Sequence, residues 1–503
     1  MDGVTTVTDH VRYLSLRTWM LERYWIQQRP DSPADFNRYA QQVEAAIALG
    51  TLLAGPPLNF LVGSRRARAR LDGGGELTLT PVAERPAADI YGGACQALGL
   101  NALPADARPR SLVAPTVERG QPLAAAVDAR LCTTALGRLI SDEGPPADAT
   151  RADLEAFGEQ VHLDRIGAQE RALLTALLLP IEPAQELEQT ARDQELRRLG
   201  SYVLLLSLAE RLERPPTPED VFAAAAEGGT ALPEVLEPTL DGWALYGARD
   251  LLGVVHEAAL RAVLAWLARD PVREVPVTEV VATLLSQPEL VEPLVELGLL
   301  ADDEGLEGLT WDALGDRLRD ATAREPWSRG GVLRWRDGLS EQALVKLALA
   351  PGSTARPLAL LPVAWMLCLR RVTPGLADSA PLFEHLGASW LSVPDDVRPR
   401  AGAWRQEHRP VLRCIADQLL LTVEGHLGVA WSRMQANASS DGLFLLSDGL
   451  TWRFRAHFTA DRAASRLSSA VQWLRQLALL DDHGLTPEGR LWRDKGLVAM
   501  ESR

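Results

Sequence analysis

Lysine is almost missing from this chain of 503 residues: of 52 basic side chains only Lys346 and Lys495 are lysine, and the other 50 are arginine. With so few lysines the Glu-x-Lys and His-x-Lys patterns of nucleases are absent. No His-x-His, Gly-x-Ser-x-Gly or His-Glu-x-x-His is present either. No catalytic residue, metal ligand or cofactor site is therefore nominated, and a non-catalytic protein is expected. The arginine bias is what a GC-rich bacterial coding sequence produces, the alternative being selection for bidentate arginine contacts. Cysteine is scarce too. Cys95, Cys132, Cys368 and Cys414 lie far apart with no CxxC spacing, which argues against a disulfide framework or a zinc knuckle. Long apolar runs are also lacking: the strongest, Leu358 to Leu369, spans about twelve residues and contains Pro362, too short to cross a bilayer. Met1 to Asp9 is polar and mildly acidic, so no secretory signal is expected. No membrane association and a cytoplasmic location follow as expectations.

Phe and Tyr are sparse, at 8 and 6 residues, whereas Leu, Ala and Arg dominate. That composition favours helices over sheets. A mainly α, multi-domain helical protein with a few short strands is predicted, and the length allows about three to four domains. The net charge of −15 is uneven. From Ala401 to Arg503 there are 13 Lys/Arg against 11 Asp/Glu, so the rest of the chain carries all of the negative excess. Any contact with nucleic acid should be local, because the bulk of the chain repels phosphate.

Residues 1–140 read as a mixed N-terminal domain. Tyr13, Leu16, Trp19, Met20 and Tyr24 recur at helical spacing, and Asp31-Ser32-Pro33 starts a second helix. Arg65, Arg66, Arg68 and Arg70 form the densest basic run, which could grip a phosphate backbone or form a solvated helix face. Gly92-Gly93 ahead of Cys95 lacks the Lys-Ser/Thr of a phosphate loop, and Cys95 reads as a small buried residue. Residues 150–270 form a helical scaffold punctuated by Pro180, Pro183, Pro215-Pro216 and Pro233. His256-Glu257 begins a metallopeptidase-like pattern, but Leu260 stands where a second histidine would be needed.

Two stretches share an order. In 271–325, Glu274 to Val277 suits a short strand, followed by helices, Leu299-Leu300, an acidic turn and Leu309-Thr310. In 326–503 the last part repeats it. Leu443 to Leu446 and Trp452 to Phe458 alternate around Ser447-Asp448-Gly449, which is hairpin grammar. Helical segments follow, then Leu479-Leu480, an Asp-Asp-His-Gly turn and Leu485-Thr486. A partial echo begins at Leu333 to Arg336. Either common descent or a shared local capping signal can produce these parallels.

The stretch 443–496 resembles the winged-helix variant of the helix-turn-helix family, and 272–320 resembles it as well. The resemblance implies a second helix that enters the major groove and a hairpin wing that meets backbone. The first copy presents Glu289, Glu292 and Glu296 on that helix and is expected to be a protein-contact or purely structural module. The second presents Arg453, Arg455 and His457 on one strand face, Arg462 and Arg466 on the first helix, and Gln472, Arg475 and Gln476 on the second. These are the expected nucleic-acid-binding residues, with Arg65, Arg66, Arg68 and Arg70 as a secondary patch. The expectation is a component of a bacterial DNA-associated assembly, with genome maintenance, mobile elements and phage defence as settings. Its partners would be other protein subunits and double-stranded DNA. The alternative is a scaffold that binds only proteins.

Overall fold

The computed structural model describes residues 9–502 apart from 57, 74–76, 106, 109–110, 183–188, 228–231, 323–340, 351–354, 372–390, 438–441 and 461–465. The protein is mainly α with a few short strands, and it divides into two compact units. Unit 1 comprises Met1–Asp220 with Ala464–Arg503, and unit 2 comprises Val221–Ala463. This division does not follow the boundaries expected at 140, 270 and 325. The scaffold expected over 150–270 is cut after Asp220. The stretch 443–496 is shared between the units, its hairpin in one and its helices in the other.

Unit 1 opens with α1 (Arg12–Ile26) and α2 (Pro33–Ala54). Ser32 caps α2 as expected, its hydroxyl accepting from Asp35 N at 3.3 Å, with Pro33 in the first turn. The spacing in α1 suggested one apolar face, yet Arg12 to Leu21 are all buried. The two arginines of this stretch explain how: Arg12 pairs with Glu170, and Arg17 Nε donates to Ala88 O at 2.6 Å. A helix whose polar side chains find internal partners can be covered on every face. There follow α3 (Ser64–Asp72), β1 (Leu77–Thr78), α4 (Ala87–Ile90), α5 (Gly92–Ala97), β2 (Asn101–Ala102) and β3 (Ala114–Pro115). Then come α6 (Gly120–Leu131), α7 (Ala135–Asp142), β4 (Asp148–Ala149), α8 (Arg151–Val161), α9 (Ala168–Leu178) and α10 (Gln189–Leu212), and the boundary between the units falls within α11 (Pro218–Glu227). Strands β1 and β4 pair antiparallel, as do β2 and β3.

Unit 2 is built on α12 (Glu237–Leu267), followed by β5 (Val275–Pro276), α13 (Val277–Leu285), α14 (Glu292–Glu296), α15 (Trp311–Ala321), α16 (Glu341–Leu349), α17 (Arg356–Arg371), α18 (Arg398–Gln406) and α19 (Val411–Asn437). The hairpin β6 (Leu445–Ser447) and β7 (Thr451–Phe454) completes it. Leu251 to Leu267 of α12, Leu358 to Cys368 of α17 and Val411 to Val423 of α19 share one apolar core. The expected echo at 333–336 lies outside the described residues. Unit 1 is completed by α20 (Arg466–Gln476), β8 (Leu480–Asp481), β9 (Gly484–Leu485) and α21 (Pro487–Glu501).

The parallel between 272–320 and 458–489 has a physical basis. Helix α14 ends with Gly298 at φ 65°, and Leu299 N reaches back to Leu294 O at 2.8 Å; α20 ends with Ala478 at φ 60°, and Leu479 N reaches Leu474 O at 2.9 Å. Both are left-handed helix terminations with a six-to-one bond. Thr310 and Thr486 then cap the following helices through Ala313 N and Gly489 N. A closer counterpart of the second stretch lies within unit 1. Helix α5 ends at Gly99 (φ 69°) with Leu100 N on Cys95 O at 2.8 Å. Thr116 N meets Leu100 O at 3.0 Å, as Thr486 N meets Leu479 O at 3.2 Å. A Cβ built at Gly120 would stand 2.2 Å from Leu100 O, and one at Gly489 would stand 2.0 Å from Leu479 O. A left-handed helix termination, an antiparallel strand pair and a glycine of the next helix close to the first leucine carbonyl thus occur twice in unit 1.

Candidate nucleic-acid interface

The hairpin forms as its residues predict. Asp448 Oδ1 accepts from Leu450 N at 2.9 Å and Thr451 N at 2.7 Å, and Gly449 takes φ 92°. These bonds hold the Asp448 carboxyl below its usual range. The hairpin's far edge pairs with β5, however, Val275 opposite Trp452 and Pro276 opposite Thr451, giving the order β5-β7-β6. A strand has two hydrogen-bonding edges, and the second edge of β7 is taken by the strand that precedes α13. The helices that follow the hairpin in sequence belong to unit 1 instead.

Register sorts the hairpin into two faces. Leu445 lies opposite Phe454 and Ser447 opposite Trp452, and Leu445 and Trp452 are buried. Leu446 lies opposite Arg453 on the outward face. Arg455 N and Ala456 N both reach Phe444 O at 3.0 Å, so two residues face one and the ladder ends there. The strict alternation expected as far as His457 therefore stops at Arg455. His457 instead lies edge-on to Phe454, ring centroids 4.9 Å apart. Arg455 and His457 are exposed, and Arg453 sits 3.6 Å from Glu274. On the neighbouring side His426 stacks on Phe444 (5.4 Å, 21°), and Phe458 approaches the same ring at 5.0 Å. Burial, with the charge of Arg433, holds the His426 imidazole below its usual range.

The other expected residues are placed differently. Arg462 lies outside the described residues. Arg466 is exposed at the start of α20, and Gln472 is half-buried. Arg475 is exposed and ion-paired with Asp482. Gln476 is engaged within unit 1: its Oε1 accepts from Val11 N at 2.9 Å, and its Nε2 faces His10 Nδ1 at 2.8 Å and Asp164 Oδ1 at 3.2 Å. Next to it Ser469 Oγ donates to Asp9 Oδ1 at 2.8 Å. This face of α20 holds the start of the chain rather than a free surface. In the secondary patch Arg66 pairs with Glu84 at 2.9 Å, and Arg70 donates to Thr78 O, Thr80 O and Pro81 O. Arg65 and Arg68 are exposed.

His256, Cys95, Cys368 and Cys414 are buried. Trp365 Nε1 donates to His256 Nε2 at 2.9 Å, and His256 Nδ1 meets Thr422 Oγ1 at 2.7 Å, whose hydroxyl donates to Gln418 O at 2.7 Å. That chain fixes a neutral ring protonated at Nδ1, and burial pushes its pKa down to about 3. Burial pushes the Cys368 and Cys414 thiols up to about 12 and raises Cys95 as well, which makes them poor nucleophiles. Among the described residues no group of three or more His, Cys, Asp or Glu could hold a metal, and no helix is long and apolar enough to cross a membrane.

Sequence reasoning singled out Arg453, Arg455 and His457 but assigned no role to Phe444. Phe444 packs against the unit 2 core beside His426 and Phe458, a placement that comes only from pairing. Comparison with protein-family models, curated proteins and solved structures returned no match to this chain.

Proposed function

We propose that this protein is a non-catalytic component of a bacterial DNA-associated multi-protein complex that contacts DNA through the outward face of the unit 2 hairpin. The observation that carries the reading is that register sets Arg453 on the face opposite the buried Leu445 and Trp452, with Arg455 exposed two residues on. Guanidiniums on a rigid hairpin can pair with phosphate without a cost in ordering the backbone. Helix α20 contributes less to this reading, because Gln476 and Ser469 are engaged internally and Arg475 is paired with Asp482.

The test is DNA retention by the full chain, since 400–503 is shared between two units. Arg453→Glu with Arg455→Glu should weaken binding at least tenfold at low salt and lower the salt slope by about two. Unchanged retention would abandon the reading in favour of a scaffold that binds only proteins. Val272 and Leu450, 82% and 79% exposed next to the β5 and β7 edges, would suit that second role.

A further inference from the structure

We infer that unit 1 carries a second contact for DNA, in which Arg65 and Arg68 of α3 pair with backbone phosphates and Phe60 supplies an exposed ring. This goes beyond the reading above, because it engages a different unit and other residues.

Helix α3 contributes almost nothing to the core. Of Ser64 to Asp72 only Ala67 is buried, and four of the nine residues are arginine. Arg66 and Arg70 stand at i and i+4, where like charges oppose helix formation. Burial, and after it the charge of Arg66, holds the Arg70 guanidinium below its usual value. The fold uses both side chains. Arg66 pairs with Glu84 at 2.9 Å, and Arg70 donates to Thr78 O, Thr80 O and Pro81 O. Arg65 and Arg68 are different: among the described residues their exposed guanidiniums form neither an ion pair nor a hydrogen bond. They stand at i and i+3, on neighbouring positions of the helix surface, and add to its self-repulsion. A polyanion brought to α3 relieves that repulsion and gives both groups a partner.

The residue that leads into α3 departs from ordinary backbone. Phe60 takes φ 58°, a left-handed conformation that a bulky residue adopts at a cost, and it is 61% exposed. The chain is fixed on either side of it. His10 Nε2 lies 2.7 Å from Asn59 O, and Val62 N donates to the Tyr13 hydroxyl at 3.1 Å. Ser64 N then meets Leu61 O at 3.1 Å, so a single turn separates Phe60 from the start of α3. A strained residue pinned so that its ring stays in water is an outlier that points to a contact. Successive phosphates suit paired guanidiniums, and nucleic acid also offers sugar and base surfaces to a ring. One ring is too little apolar area to hold a protein on a lipid surface.

The experiment titrates the full chain into a fluorescein-labelled duplex of 20 base pairs, following anisotropy at 50 and 200 mM salt. Arg65→Glu with Arg68→Glu should weaken binding at least tenfold at the lower salt and reduce the salt slope by about two. Should that pair fail to fold, Arg65→Ala with Arg68→Ala should act in the same direction. Phe60→Ala should weaken binding several-fold at both salts with the slope unchanged, which separates the ring from the charges. If binding is lost on changing Arg453 and Arg455 but is indifferent to Arg65 and Arg68, the inference is overturned and the hairpin reading stands. The opposite pattern upholds the inference and removes the hairpin. Polyglutamate that displaces the labelled duplex as well as unlabelled duplex does, at equal charge, would also overturn it, since the patch would then take any acidic chain. No binding at all would remove both.

Discussion

The two units bury polar groups in opposite ways. Unit 1 encloses charge: Arg12, Arg17, Glu44, Glu170, Glu195 and Arg198 are all buried. Among the described residues unit 2 buries no Asp, Glu, Arg or Lys, and its interior polar side chains are His256, Thr322, Ser392, Gln418 and Thr422. The difference follows from connectivity. Unit 1 joins distant pieces of chain, α1 to the loop after α8 and to α9, and does so through ions whose every bond has a direction. Unit 2 packs long apolar helices α12, α17 and α19, where one neutral chain of hydrogen bonds suffices. Directional ionic bonds specify which segments meet but are costly to break, whereas apolar packing tolerates change until a charge is forced inside. Each consequence can be tested.

The largest effect is expected from breaking the ion pair of α1. Arg12 Nε and Nη2 donate to the two oxygens of Glu170 at 3.1 Å, Nη1 donates to His162 O at 2.7 Å, and Ser15 Oγ donates to Glu170 as well. Both side chains are essentially inaccessible, at 0% and 1%. Glu170→Ala leaves an unpaired buried guanidinium and should cost unit 1 about 3–5 kcal/mol. Replacing both residues by leucine should recover most of that loss, because no charge is then stranded. Hydrogen exchange on the full chain, read at α1 and α9, measures it. A loss below about 1 kcal/mol for Glu170→Ala would mean that the pair does not organise unit 1.

A second test uses the carboxyl that unit 1 keeps inside. Glu44 on α2 accepts from Ala88 N at 2.6 Å and Ala87 N at 2.8 Å. Those bonds favour the charged form, yet burial outweighs them and, with a small contribution from Asp89, pushes the carboxyl up to about 7. A carboxyl raised in the fold contributes stability that is complete below its ordinary value near 4.5 and is lost as pH rises through about 7. The full swing amounts to roughly 3 kcal/mol. Acidification from pH 7 to 5 should therefore protect α2 and α4 from hydrogen exchange in the native chain, and this gain should vanish in Glu44→Gln. An equal gain in the variant would assign the effect to another group.

Local signals in the sequence were mostly read correctly because their causes are local. Ser32 caps the helix it precedes and Asp448-Gly449 turns the hairpin, whereas Thr278, a cap candidate in the sequence, lies inside α13, which starts after Pro276 without a side-chain cap. What the sequence could not convey was partnership. Nothing in Trp452 to Phe454 indicates that β7 takes Val275 and Pro276 as its second neighbour, nor that Gln476 is engaged by His10 and Val11 at the other end of the chain. The apolar spacing of α1 likewise concealed Arg12 and Arg17, which look solvent-facing until Glu170 and Ala88 are brought against them. For the candidate site, the arginine face was legible from period two. The second neighbour of β7, the strand β5, was set by pairing over a long separation.

The smallest effect belongs to unit 2 and should run the other way. His256 is held neutral between Trp365 and Thr422, and burial pushes its pKa from 6.5 to about 3. A base depressed in the fold contributes stability that is complete above its ordinary value and is lost as pH falls, because the unfolded chain takes up a proton that the folded chain refuses. Between pH 6.5 and 5 this amounts to about 1.6 kcal/mol, or roughly a 16-fold increase in opening of α12 and α19 once exchange is corrected for its intrinsic pH dependence. His256→Gln keeps an acceptor for Trp365 but cannot take up the proton, so its unit 2 should lose far less over the same range. If acid loosens wild type and variant equally, the neutral chain is not the acid-sensitive element. If it loosens unit 2 while protecting α2 and α4, the two interiors respond to one proton concentration in opposite senses, as ionic and neutral burial require.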